Sequence, residues 1–477
     1  MSQVVLANIK NEDSSLQWDI YSQKAVDHEV HIRDNKIESI RSPIMSEGYA
    51  IRIIRRRSEK SEEGDELSGI GLAPGDQIQD EGDVMRTFRF ASEASKITRF
   101  PSYQIPSKTG PYPEVRISDQ AITRDGFGAA KDLAEKVISL SDKERDIRLT
   151  FGKIRLTRID TTLENCFGLR VEKSETFAYF EAGLSPRRVE ANELSEFWPH
   201  TLSRRVEDLK LESNIPKWAK FARDSAKARP PDTGKYALIV PPNVLSEMLP
   251  PVVSFHASAS SLKKGMSRWK NRNEKVWGDM VSITDDGLVD FANASSPFDD
   301  EGTPQQRTDI IRKGVFLNYI ADNMYSKFVF SKSTGNGIKS RKHADRMESP
   351  RYLGALCYND DVELYHTNIV MEGGDSSIEE MITETKRGVL MEQFSWMLPD
   401  EATGTFGAEI RHAYLVEGGE IKSAIKGGVA DGSFFDQRGT ESKGVLSSID
   451  FISEEKEIVD ASVLPNVLFP EIRISGR

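Results

Sequence analysis

Cysteine is nearly missing from this chain: among 477 residues only Cys166 and Cys357 carry a thiol. Two thiols so far apart do not make a disulfide framework or a Cys-based zinc knuckle, and they fit a reducing, cytoplasmic compartment. A basic excess is missing too. With 64 Lys and Arg against 75 Asp and Glu the formal charge is −11, which leaves no electrostatic footprint for nucleic acid. No run approaches the roughly 18 uninterrupted apolar residues of a membrane span. The opening MSQVVLANIKNEDSSLQWDI puts acids where an export signal needs a basic and then an apolar segment. There is no G-x-S-x-G elbow to supply a hydrolase serine. STGNG (333–337) lacks the Lys and Ser/Thr of a phosphate loop, and KGGVADGSFF (426–435) lacks the G-x-G-x-x-G order, so nucleotide binding has no support.

The length itself implies two or three domains. WDIYSQKAV (18–26) and DHEVHIRDNKIESI (27–40) alternate apolar and polar residues, with Asp34 and Asn35 at a turn, which predicts an antiparallel meander. GYAIRIIRRR (48–57) extends it. The following SEKSEEGDELSGIGLAPGD (58–76) is rich in charge and Gly and reads as an exposed loop inserted between core elements. Amphipathic helices are predicted over 82–97 and 126–140, the second with Leu133, Val137 and Leu140 on one face. Long β-like runs over 145–186 break at Asn165 and Gly168. A polar helix over 203–230 carries Val206, Leu209, Trp218 and Phe221, and ARPPDTGKY (228–236) then marks a junction at about residue 232.

Beyond that junction the chain is Gly-rich, with many short strands. A helix is expected between Val244 and Ser260. A second over SSIEEMITETKRG takes Ser376 or Ser377 as N-cap, Glu379 and Glu380 in its first turn and Gly388 past its end. GTFGAEIRHAYLVEGGEI (404–421) reads as a hairpin with Gly418 and Gly419 at the tip. The expected class is α+β: a mixed α/β domain over 1–232, with strands and helices, and a mostly β domain with a few helices over 233–477.

Three stretches carry chemistry. HEVH (28–31) spaces its histidines at i and i+3, which on an alternating strand puts them on opposite faces, unlike the i, i+4 pair of a zincin helix. VVSFHASASS (252–261) holds His256 among small residues, with no carboxylate or second imidazole within a turn, which favours a structural histidine. SPFDDEGTPQQR (296–307) concentrates Asp299, Asp300 and Glu301. These could bind a cation or a substrate backbone, but they suit better an Asx-type turn that satisfies its own backbone.

Six segments in order, FDDEGTPQQRTDIIRKGVFLNYIADN, STGNG, TNIVMEGGDSSIEEMI, RGVLMEQFSW, ATGTFGAEIRHAYLVEGGEIKSAIKGG and LPNVLFPEIRISG, together resemble the TldD/PmbA family. The stretch from Arg55 to Gly69 looks like an addition peculiar to this chain. The TldD-like kind carries H-E-x-x-x-H and a cysteine near the C-terminus. Here His256 stands at the first histidine, Ala257 replaces the Glu, Ser261 replaces the second His, and residues 426–477 contain no cysteine. A catalytic zinc keeps three protein ligands and an open position, so one imidazole is too few.

The resemblance therefore implies the PmbA or TldE kind, the non-catalytic companion of a TldD metallopeptidase. It implies no catalytic residue, metal ligand or cofactor in this chain, a zinc in the partner subunit, and a dimer enclosing a chamber for unfolded peptides. Such peptides would be held by strand addition, with contacts in the region of Asp299, Asp300, Glu301, Gly302, Thr334, Gly335 and Asn336. Two other readings remain at this level. One is a divergent hydrolase using His256 with Asp299, Asp300 or Glu301. The other is a homodimeric peptide-binding regulator. The older family label, modulator of DNA gyrase, finds no support in the acidic charge balance.

Overall fold

A computed structural model describes residues 16–77, 80–107, 110–187, 196–329, 332–339, 356–436, 443–447, 449 and 451–477. The first half builds one seven-stranded antiparallel sheet from β1 (Gln17–Arg33), β2 (Lys36–Lys60), β3 (Glu66–Gly75), β4 (Phe100–Pro101), β5 (Ile147–Asn165), β6 (Arg170–Pro186) and β7 (His200–Ser203). Its spatial order is β4-β3-β2-β1-β5-β6-β7. The β1–β2 turn falls on Asp34 and Asn35, both at positive φ, a conformation these two residue types tolerate best among non-glycines.

Strand alternation divides the sheet cleanly. Val30 and Ile32 of β1 bury beneath α2 (Gln120–Lys143), joined by Leu133, Ala134 and Val137. Trp18 and Ile20 bury beneath Val84 and Phe88 of α1 (Glu81–Ala94). The intervening Asp19 and Tyr21 face the second half of the chain. His28 and His31 of the HEVH stretch follow the same alternation. His28 bonds Ser42 Oγ at 2.6 Å and lies against Gly126 of α2, whereas His31 faces Glu29 on the opposite side.

The charged stretch over 58–76 is not a loop. β2 runs through it to Lys60, turns at Ser61–Asp65 and returns as β3. Two glycines make this possible: a Cβ at Gly69 would stand 1.7 Å from the Ser95 carbonyl oxygen, and one at Gly71 1.9 Å from that of Ala91, so α1 seats directly on β3. Charge density signalled exposure correctly for the outward residues but concealed the ladder. The predicted helix over 203–230 also shrinks: Glu207–Leu209 form a single 3-10 turn, Lys210 turns left-handed, and only α3 (Leu211–Ser225) is helical.

The second half contributes an eleven-stranded sheet from β8 (Gly234–Val240), β9 (Ile283–Asp286), β10 (Arg307–Arg312), β11 (Val315–Phe316), β14 (Ile369–Met371), β15 (Arg387–Phe394), β16 (Thr405–Glu417), β17 (Glu420–Ile425), β18 (Val429–Ser433), β19 (Phe451–Val459) and β20 (Ser462–Ser475). A separate pair joins β12 (Gly337–Lys339) to β13 (Val362–Leu364). Because β8 pairs with both β15 and β20, the strands β20, β18, β16, β15 and β8 close on themselves. The fold is α+β throughout. Leu238 and Val240 of β8 face a core beneath α4 (Pro242–Ala257), while Ile239 faces the core that α2 and α3 share with Leu390, Tyr414 and Leu468, so both sheets bury residues in one continuous cluster.

In α4, Pro250 and Pro251 sit inside the helix. Such a proline costs about 3 kcal/mol or more. Burying each of Val244, Leu245, Met248, Leu249 and Val252 contributes roughly 1.5–3 kcal/mol, so packing wins over propensity. The helix expected to reach Ser260 breaks at Ser258. There the chain pairs with Ile320 as in a parallel bridge, and the Ser258 hydroxyl caps a new short helix, α5 (Ala259–Lys263). Ser377 caps α6 (Ile378–Glu384) through a capping box with Glu380. That helix is shorter than its polar pattern suggests, and Gly388 lies in β15 rather than at its end. No helix among the described residues is long and apolar enough to cross a membrane.

Candidate functional site

Two buried polar regions merit a functional reading: the end of α4 and the seam between the halves. His256, the penultimate residue of α4, is fully buried. Its Nδ1 accepts the Arg268 backbone N–H at 3.1 Å, and its Nε2 has no hydrogen-bond partner. The rings of Phe435, Phe255 and Trp269 stand around it with centroids at 4.9, 5.1 and 5.6 Å. Burial, helped by the Arg268 charge and opposed by the Ala402 carbonyl, lowers its pKa to about 4, so the ring is neutral at pH 7. The break at Ser258 puts Ser261 on a different helix from His256.

A zinc ion does not fit these residues. Only one imidazole is present there, and its Nδ1 is engaged by the Arg268 N–H. Among the described residues no group of three His, Cys, Asp or Glu side chains converges to hold a metal. Asp299, Asp300 and Glu301, which one reading paired with His256, are engaged elsewhere.

They lie at the seam. Asp299 Oδ1 accepts the backbone N–H groups of Glu301 and Thr303 at 3.0 and 2.8 Å, and its Oδ2 accepts that of Gly337 at 3.0 Å, which is an Asx-type turn locked to β12. Gly302, at φ +86°, completes the turn; a Cβ there would stand 2.4 Å from Leu169 of the other half. Asp300 accepts the Tyr21 hydroxyl at 2.7 Å and the Lys339 N–H at 2.8 Å. Glu301 accepts Arg52 at 2.9 Å and the Asn323 side chain at 2.7 Å, and Arg52 also donates to Asp19 at 2.8 Å.

The STGNG stretch adds a second layer. Thr334 Oγ1 accepts the Ala321 N–H at 2.7 Å, and Asn336 donates to Asp285 at 2.7 Å. Gly335, at φ +81°, passes close under the Pro304 carbonyl. Burial, outweighing the bonds from Asn336 and Thr367, pushes Asp285 up to about 6, and burial followed by the Glu301 charge pushes Asp322 up to about 7. Thus the structure brings Asp299, Asp300, Glu301, Gly302, Thr334, Gly335 and Asn336 together at one seam, and there the side chains of the five polar residues bond within the chain. Arg52, Asp19 and Tyr21, which hold that seam from the other half, carried only a faint signal in the sequence: a charged Arg52 between the apolar Ile51 and Ile53.

A profile of the PmbA/TldA metallopeptidase C-terminal domain matches residues 233–476, just over half of the chain. The chain belongs to the PmbA/TldD family. A metalloprotease of Methanocaldococcus jannaschii is 24% identical over 254 residues, covering 52% of this chain and 51% of that protein. A metalloprotease TldD homolog of Haemophilus influenzae is 28% identical over 185 residues, 39% of this chain and 33% of that protein. The matched stretch therefore spans about half or less of these PmbA/TldD relatives. In fold the likeness extends over nearly the whole chain. TldE from Thermococcus kodakarensis superposes with a TM-score of 0.76 at 19% identity, covering 96% of this chain and 97% of that one. A Thermotoga maritima protein described as a candidate modulator of a DNA gyrase gives 0.79 at 18% identity, covering 99% and 98%.

Proposed function

We propose that this chain is a TldE-like, non-catalytic subunit of a TldD-type zinc metallopeptidase, completing the chamber in which unfolded peptides are bound and cut. The observation that carries this is the setting of His256: the position where the resemblance puts the first zinc ligand holds a neutral ring, capped by the Arg268 N–H and enclosed by Phe255, Trp269 and Phe435. In this reading the zinc, and the water it activates, belong to a TldD-like partner. The seam residues Asp299 to Gly302 and Thr334 to Asn336 act by holding the two halves in the shape that forms one chamber wall, and peptide lies along exposed strand edges by backbone pairing.

Native mass spectrometry of the tagged chain isolated from its own cells tests this. The expected species is a complex with a second, distinct subunit carrying H-E-x-x-x-H, one zinc per complex, and hydrolysis of unstructured peptides only when both subunits are present. A homodimer without that subunit, or chelator-sensitive cleavage by this chain alone that is lost in His256→Ala, overturns it.

A further inference from the structure

At the centre of the seam three carboxylates share one guanidinium. Glu301 and Asp322 of the second half meet Asp19 and Arg52 of the first, and all four are buried. Arg52 donates to Asp19 at 2.8 Å, to Glu301 at 2.9 Å and to the Tyr103 hydroxyl at 3.2 Å. Glu301 takes two more donors, the Asn323 backbone N–H at 3.0 Å and its side-chain amide at 2.7 Å. Asp322 is treated differently: its carboxyl accepts the Tyr325 backbone N–H at 2.7 Å, and no cation among the described residues pairs with it.

Asp322 lies in a segment, residues 321–328, that the second half lays against the first. Met324 packs with Ile54, Tyr103 and Ile105, and Lys327 donates to the Ser102 carbonyl at 2.9 Å. Elsewhere on the segment Lys264 stands over the Tyr325 ring and Lys263 over that of Phe328, with Lys263 also paired to Glu63 and Asp65. The charged and titratable groups that face Asp322 are Glu301 from the turn before β10, Arg52 from β2 with Asp19 of β1 bonded to it, and Tyr103 following β4. None of these is a histidine. Burial first, and then the Glu301 charge, push the Asp322 carboxyl up to about 7, against the Tyr325 N–H and Arg52, which favour its charged form. An ionised Asp322 in this place would be a buried charge beside a like charge, with the one nearby cation already shared.

We infer that Asp322 is a proton-operated latch between the two halves: protonated, it lets residues 321–328 seat against β2 and Tyr103; ionised, it draws them out toward water. The proton passes to solvent, and no bond is made or broken besides. Once the segment is released, Asp322 ionises as an ordinary aspartate near 3.9. Release therefore becomes about tenfold easier with each pH unit from about pH 4 to pH 7 and levels off above. The latch lies wholly within this chain and does not rest on the subunit assignment.

Hydrogen exchange of the full-length protein and of Asp322→Asn between pH 5 and pH 8, corrected for the intrinsic rate at each pH, tests it. Asparagine still accepts the Tyr325 N–H but cannot ionise. The probes are the amides of Asn323, Tyr325 and Ser326, bonded to Glu301, to the Asp322 carboxyl and to the Asp322 carbonyl. In the parent their protection should stay below that of β5 amides and fall about tenfold per pH unit from pH 5 to pH 7, then level off; in Asp322→Asn it should be flat. Asp285, pushed up to about 6 by burial, titrates in the same window but is bonded to Asn336 and Thr367 and is present in both proteins. Should the variant not fold, the parent decides alone. Protection that does not change between pH 5 and pH 7, the same slope in parent and variant, or probe amides protected as well as those of β5, so that the segment leaves only when the whole chain unfolds, overturns the proposal.

Discussion

His256 and Glu301 are both polar, both buried, and both lie in stretches that a reader of the sequence would mark as sites. Their surroundings are opposite. Glu301 is bonded by Arg52 and Asn323, and the whole seam around it is a closed hydrogen-bonded network in which one half of the chain completes the other. His256 sits among aromatic rings, with its Nδ1 bonded by the Arg268 N–H and only the Ala402 carbonyl acting on it to favour a proton. The lesson is that clustering of carboxylates marked a structural junction, whereas the lone imidazole is buried among aromatic rings with no carboxylate or second imidazole bonded to it.

The contrast can be broken first at the seam. Arg52→Met leaves Asp19 and Glu301 buried without their cation, and should cost about 3–5 kcal/mol of stability by urea unfolding; a loss under about 1 kcal/mol would mean that the network does not hold the halves together. The histidine is probed through pH. Its folded pKa near 4 lies below the ordinary value near 6.5, so at pH 7 it is neutral in both states. As pH falls from 6.5 to 4 the unfolded chain takes up a proton that the folded chain refuses, and stability drops by about 3 kcal/mol, with no further loss below pH 4.

His256→Phe removes that drop, so the difference in stability between parent and variant should shift by about 3 kcal/mol in favour of the variant between pH 7 and pH 4. His412, also lowered to about 4 by burial, acts in the same direction, while the raised carboxyls Asp285 and Asp322 gain stability as pH falls. All three persist in both proteins and cancel. A parallel pair of pH profiles would show that the ring is not held neutral.

Asp299→Ala strands three backbone N–H groups at the seam and should cost about 1–3 kcal/mol, read by the same unfolding measurement. The smallest effect belongs to the hairpin tip, where Lys263 meets Glu63 and Asp65 at the surface. Lys263→Ala should leave the melting temperature unchanged within error, since solvent screens such pairs.

Local chemistry was legible in the sequence where it is decided locally. Asp34 and Asn35 announced their turn, Ser377 its place at the start of α6, and Asn165 and Gly168 the β5–β6 hairpin. What depends on distant partners was not. Arg52 and Glu301 lie 249 positions apart, so nothing near either foretold their bond. The break at Ser258 depends on pairing with Ile320, and the strand character of residues 58–60 and 66–75 depends on a ladder and on α1 pressing against Gly69 and Gly71. Charge and glycine content alone describe such a stretch as a loop.

The subunit assignment rests most directly on where the zinc resides. Metal analysis by inductively coupled plasma mass spectrometry, on this chain purified alone and on its isolated complex, should find no stoichiometric zinc in the first and one zinc in the second, bound to the partner after the subunits are separated. One tightly held zinc in the isolated chain, lost in His256→Ala, would contradict the assignment.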